Sequence, residues 1–199
     1  MIEALAKRIT IIFIKNNIIN SEDSEIYNYC FETTIVMGIS YFVLFILSVA
    51  FREFVSSFIF LFSFLVFRKT CGGYHANNYT SCGIMSLFSY LFLIFIIKKN
   101  SVIFNISFIL LIIGLIVILI FSPIQNENKP FTEKQYKRFK IISKALAAAI
   151  IFIFTVLELC GKNDLLLNKY FYSFCYGIDL VALALLMSIT ERRINHAKN

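Results

Sequence analysis

Six long apolar blocks limit what this chain can become. They lie near residues 33–51, 54–67, 82–97, 101–122, 141–160 and 170–190, where Phe, Ile and Leu dominate and charges are confined to the breaks between them. About 20 apolar residues in a helix cross the roughly 30 Å hydrocarbon core of a bilayer. With 59% of its 199 residues hydrophobic and 16% charged, the chain is too apolar for an ordinary soluble domain. The expected fold is all-α: a polytopic membrane helical protein of about six membrane segments, forming one integral membrane domain over 1–199 with its membrane segments in 33–190. Block 54–67 is short, since its fourteen residues rise only about 21 Å. It is expected to recruit flanking residues, thin the bilayer or insert only in part.

Residues 1–19, MIEALAKRITIIFIKNNII, have helical amphipathic spacing. Ile2, Leu5, Ala6, Ile9, Ile12 and Phe13 share a face, and Glu3, Lys7, Arg8 and Lys15 fall opposite. That pattern predicts an interfacial helix on the inner membrane surface, the competing reading being a short helix packed on the bundle. The segment is not expected to be a cleavable signal peptide, because no compact apolar region precedes a small-residue cleavage site.

The net charge of +7 fits topology better than nucleic-acid binding, since Lys and Arg accumulate in cytoplasmic loops beside anionic headgroups. With six spans and an inside N-terminus, Arg52, Lys98, Lys99, Lys162 and Lys169 fall outside, and the other 14 of the 19 basic residues fall inside. Both termini and the breaks at 68–81 and 122–140 are therefore expected on the cytoplasmic side, with the lipid bilayer as partner and no nucleic acid. Five cysteines, with Cys30, Cys160 and Cys175 scattered along the chain, do not suggest a disulfide framework.

The break RKTCGGYHANNYTSC, Arg68 to Cys82, gathers chemistry that the apolar blocks lack: one of two histidines, two of five cysteines and a Gly-Gly pair. An imidazole that accepts a thiol proton leaves a thiolate nucleophile, and can later return that proton to a leaving amine. His75 and Cys82 are candidates for that pair. Gly72-Gly73 would let the backbone turn sharply and approach a substrate. Amides near Cys82, at the start of the third block, could stabilise an oxyanion, and a helix N-terminus favours a thiolate. A metal site is the competing chemistry: Cys71, His75 and Cys82 form C-x3-H-x6-C, with His196 in the tail on the same predicted side. The spacing matches no common zinc pattern, so no metal and no cofactor are expected. Cys71 itself has no assigned role.

Glu32, Glu53, Glu158 and Asp179 lie in or near the apolar blocks, Asp179 the deepest. Intramembrane acids often mark ion or proton paths. A small transporter or channel using Asp179 and Glu158 is the alternative function, set against a structural partner for Asp179 such as Lys144. In the break at 122–140, Lys129, Lys134, Lys137, Arg138 and Lys140 suit either headgroups or an acidic peptide.

The block R-K-x-C-G-G-Y-H-A-x6-C at 68–82 and the later P-I-x-N-x-N-K-P at 123–130 resemble the AgrB family of accessory gene regulator proteins. So do the length, the amphipathic start and the hydropathy profile, so that the resemblance covers nearly the whole chain. It implies a membrane cysteine endopeptidase of Gram-positive bacteria, acting as a homodimer in the cell membrane. Such an enzyme removes the C-terminal segment of an AgrD-like propeptide on the cytoplasmic side and cyclises the rest to a thiolactone or lactone, an autoinducing peptide precursor for quorum sensing. His75 and Cys82 match the family's catalytic pair, and Arg68 and Gly73 match a basic and a glycine position of the same motif. The second basic cluster departs from the family pattern, being spread out here rather than contiguous. An impermeant thiol reagent added to intact cells is expected to leave Cys71 and Cys82 unlabelled; strong labelling from outside contradicts the inward placement.

Overall fold

A computed structural model describes residues 2–74, 79–99, 103–125, 131–159 and 169–198. Among them are seven α-helices: α1 (Ile2–Lys15), α2 (Ser24–Ala50), α3 (Phe54–Cys71), α4 (Tyr79–Lys99), α5 (Ile103–Phe121), α6 (Glu133–Leu159) and α7 (Lys169–Lys198). Five stretches are long and apolar enough to cross a membrane: Ser21–Ala50, Phe54–Cys71, Ser81–Lys99, Glu133–Leu157 and Lys169–Arg193. A sixth apolar helix, Ile106–Phe121, is shorter. The chain is an all-α, multi-pass membrane protein.

Hydropathy placed the blocks but not the helix ends. Block 54–67 continues as helix to Cys71, and its 18 residues rise about 27 Å, so the expected shortfall largely disappears. Helix α2 begins at Ser24 rather than 33, and α6 begins at Glu133 rather than 141. In each case polar residues hide helical turns that extend past the apolar block. At α6 the start is a reciprocal cap: the Gln135 amide donates to Thr132 Oγ1 at 3.3 Å and the Thr132 amide donates to Gln135 Oε1 at 3.1 Å. Lys134, Lys137, Arg138 and Lys140 therefore sit on exposed helical turns rather than in a loop. Lys129 and Pro130 lie outside the described residues.

The residues group into two compact units, Met1–Arg52 with Ala76–Leu91 and Glu53–His75 with Phe92–Asn199. In the first, α1 lies on α2. Its narrow inner face is Ala6 and Thr10, both buried, and Phe13 packs edge-on against Phe31 of α2 at 5.2 Å. Leu5 and Ile12, on another stripe, stay exposed, so α1 both packs on a partner helix and presents an apolar face. Lys7 pairs with Glu3 at 2.7 Å, which holds the Glu3 carboxyl below and the Lys7 ammonium above its ordinary value. Asn17, at φ 53°, ends the helix: its amide bonds Ile14 O and the Ile18 amide bonds Phe13 O, the paired pattern of a left-handed C-terminal cap. Along α2 only Leu44 and Ser48 are fully buried, and Phe42, Phe45, Ile46 and Val49 are among its exposed apolar side chains.

The second unit is built on α3 and α7, which run in the same direction. At their starts Lys169 Nζ donates to both oxygens of Glu53 at 3.0 Å, and Ser56 donates to Glu53 Oε2 at 2.8 Å. Their contact is close because small residues line it: a Cβ on Gly177 would lie 2.1 Å from Ser63 Oγ and 2.8 Å from the Phe60 carbonyl oxygen. Helix α5 completes the core with Leu111, Leu115 and Ile118 against Cys175, Ile178, Val181 and Leu185 of α7. Phe154 of α6 stacks edge-on with Phe171 at 4.8 Å. Asp179 does not pair with Lys144: it faces Gly114 of α5, where an added Cβ would lie 2.6 Å from Oδ1, and Oδ1 is buried without a hydrogen-bond partner among the described residues.

Gly177→Val is expected to force α3 and α7 apart and cost about 1–3 kcal/mol, read as a lower thermal midpoint in detergent micelles. An unchanged midpoint contradicts this packing.

Candidate active site

The expected site residues fall on both units, and each unit is described by itself. Arg68, Gly72, Gly73 and Tyr74 belong to the second. Cys82 belongs to the first. His75 lies outside the described residues, as do the side chains of Glu158 and His196.

Helix α3 ends where Gly72 takes φ 71° and Gly73 φ 106°, conformations that L side chains rarely adopt. The sharp turn expected of Gly72-Gly73 is therefore present. It also has a packing cause. A Cβ on Gly72 would sit 2.2 Å from the Ile124 carbonyl oxygen, and one on Gly73 would sit 2.8 Å from an Arg68 nitrogen and 3.2 Å from the Ala184 backbone. Glycine is needed twice because two other backbones and a guanidinium occupy the space.

The freed backbone groups are then paired from several sides. The Ile124 amide donates to Cys71 O at 2.9 Å, the Gly73 amide to Ile124 O at 3.3 Å, and the Tyr74 amide to Ala184 O of α7 at 2.9 Å. Gly72 and Ile124 form a parallel bridge. Arg68, in the last turn of α3, bends over this turn: one guanidinium nitrogen donates to Gly72 O at 2.6 Å and the other to Tyr74 O. Arg68 and Gly73, expected from the motif as substrate-binding or supporting positions, are thus brought into contact. Arg68 spends donors on the chain's own carbonyls, which identifies it as a brace for the segment leading to His75.

Cys71 is fully buried in the core cluster with its thiol 3.8 Å from Thr70 Oγ1. It behaves as a small core side chain. Among the described residues no three His, Cys, Asp or Glu side chains are grouped to hold a metal ion.

Cys82 is exposed and is the fourth residue of α4. The helical amides of residues 79–81 just before it have no carbonyl upstream within the helix to bond, and the helix dipole places partial positive charge there. Both features suit a thiolate or an oxyanion. Within the same unit Ser40 Oγ of α2 lies 4.0 Å from where a Cβ on Gly83, the residue after Cys82, would be. Sequence reasoning did not find Ser40, Ala184 or Ile124; the Pro123-Ile124 pair of the downstream motif was the one available signal.

Comparison with known proteins places nearly the whole chain in a family. The family model described as accessory gene regulator B matches residues 6–190. A "Putative AgrB-like protein" of Clostridium perfringens (strain SM101 / Type A) is 28% identical over 161 residues, covering 77% of this chain and 75% of its own length. A protein of the same name from Clostridium beijerinckii is 28% identical over 176 residues, covering 85% of each. No solved structure matches the chain significantly. With a match over nearly its full length, the chain belongs to the AgrB family.

Proposed function

We propose that the protein is a membrane cysteine endopeptidase that removes the C-terminal segment of an AgrD-like propeptide and cyclises the remainder to a thiolactone, or to a lactone where the ring nucleophile is a hydroxyl. Family membership supports a part in peptide processing for accessory gene regulator quorum sensing. The observation that carries the finer reading is the exposed Cys82 thiol in the first turn of a membrane helix, seven residues after His75 in the sequence.

In this mechanism His75 takes the proton from Cys82 Sγ, and the thiolate attacks the scissile carbonyl carbon. Amides at the start of α4 stabilise the oxyanion. The C–N bond breaks, His75 returns the proton to the departing amine, and the N-terminal part remains as a thioester on Cys82. A cysteine thiol within that part then loses its proton to His75 and attacks the thioester carbonyl. The Cys82 thiolate leaves and takes the proton back. One thioester replaces another, so the ring closes without a cofactor. Water must be kept out, or the product is a linear acid, and a site bordered by membrane helices favours exclusion. Arg68 and Gly73 act here as supports for the segment before His75.

The basic turns of α6, with exposed Lys134, Lys137 and Arg138, are suited to an acidic propeptide tail. The expected setting is the bacterial cell membrane, with both termini and the 68–82 segment on the cytoplasmic side and a homodimer as the working form. A transporter reading keeps one specific observation: among the described residues the buried Asp179 Oδ1 has no hydrogen-bond partner.

With the propeptide co-expressed from the protein's own locus, Cys82→Ser is expected to abolish cleavage and His75→Ala to reduce it at least about 100-fold, both with normal membrane levels. Normal cleavage by Cys82→Ser overturns the reading. Loss of cleavage in Asp179→Asn while Cys82→Ser still cleaves would favour the transporter instead.

A further inference from the structure

The short segment Ser122–Gln125, between α5 and α6, continues from α5 through the Ser122 amide bond to Ile118 O at 3.0 Å and is held by four further hydrogen bonds to α3, α6 and α7. Ser122 Oγ bonds Ser143 Oγ of α6 at 2.8 Å. Ile124 donates to Cys71 O at 2.9 Å and accepts from the Gly73 amide at 3.3 Å, both at the end of α3. Arg192 of α7 donates to Gln125 O. The circuit closes through α7, because the Tyr74 amide bonds Ala184 O at 2.9 Å, and Ala184 precedes Arg192 by eight residues, about two turns. Within this ring the backbone of residues 72–74 is fixed at three successive residues, by Arg68 from its own helix and by Ile124 and Ala184 from outside.

A plain structural role would explain a bond or two, but the unit's fold already has a large apolar basis in α3, α5 and α7. The hydrogen bonds concentrate instead on the residues that lead directly into His75. Arg192 is exposed and Ser143 is buried, yet each holds the same four-residue segment, from opposite ends.

We propose that Arg192 and Ser143 are positioning residues for the reaction: they clamp Ser122–Gln125 as a strut, and the strut fixes the Gly72–Tyr74 backbone that leads in sequence into His75. The proposal rests on the reading of His75 and Cys82 as the catalytic pair. It gives Pro123-Ile124 a part in the mechanism although neither contacts substrate. It also predicts that side chains on α6 and α7, remote in sequence from the motif, control thiol activation.

The test is the rate at which iodoacetamide alkylates Cys82 at neutral pH in the purified full-length protein in micelles, read by mass spectrometry. Buried Cys71 serves as an internal reporter of unfolding. A free thiol is only a few per cent thiolate at pH 7, so loss of an activating imidazole slows alkylation on the order of tenfold. His75→Ala is the reference for that loss. Arg192→Ala and Ser143→Ala are each expected to slow Cys82 alkylation at least severalfold with Cys71 still protected, and Arg192→Lys is expected to recover part of the rate. If His75→Ala slows alkylation and neither Arg192→Ala nor Ser143→Ala does, the strut is overturned while the catalytic pair stands. If His75→Ala has no effect, the catalytic pair itself fails. If both strut variants unmask Cys71, these residues maintain the fold rather than position the site, and the proposal is likewise overturned.

Discussion

The end of α3 is the constraint around which the second unit is organised. A helix leaves its last carbonyls unpaired, and beside hydrocarbon there is little water to satisfy them. Here a guanidinium from the last turn and two segments from elsewhere in the chain supply the partners. That arrangement requires Gly72 and Gly73, because any side chain would occupy the space of the pairing backbones. It requires α7 to run parallel to α3, so that Ala184 arrives at the turn, and the Glu53–Lys169 pair fixes the same alignment at the far end. A motif that reads as flexible in sequence is thus a tightly paired junction up to Tyr74.

The membrane class, the number of apolar segments and the special character of 68–82 were all legible in the sequence, because each is written locally. Twenty apolar residues in a row announce a span wherever they occur. Helix ends were not legible in the same way. Hydropathy stops at Arg68, Glu32 and Lys140, but the hydrogen-bond ladder does not, so α3, α2 and α6 each extend beyond their apolar blocks. Thr132 and Gln135 did carry a readable capping signal. The pairing of Ile124 with Cys71 and Gly73 joins residues about fifty positions apart, and nothing in either stretch names its partner. The Glu53–Lys169 pair is hidden for the same reason.

Of the four site positions, Arg68 and Gly73 gain a physical role from their contacts, and Cys82 gains an exposed position on the first turn of a helix. Cys71, beside the motif in sequence, is removed from the chemistry by its burial. Two thiols eleven residues apart thus differ in environment: Cys71 is buried and Cys82 is exposed. The proposed chemistry needs this asymmetry, since a second reactive thiol beside the nucleophile would compete with it for the acyl group.

The central claim is that the propeptide becomes covalently attached to Cys82 before its ring closes. The direct measurement is intact-protein mass spectrometry of the enzyme quenched in acid during turnover of a propeptide whose ring-closing residue is replaced by Ala. An adduct equal in mass to the N-terminal part of the propeptide less one water is expected, mapped to Cys82 and released by hydroxylamine. Full cleavage of that propeptide by wild-type enzyme with no adduct on Cys82, or an equal adduct in Cys82→Ala, would contradict it.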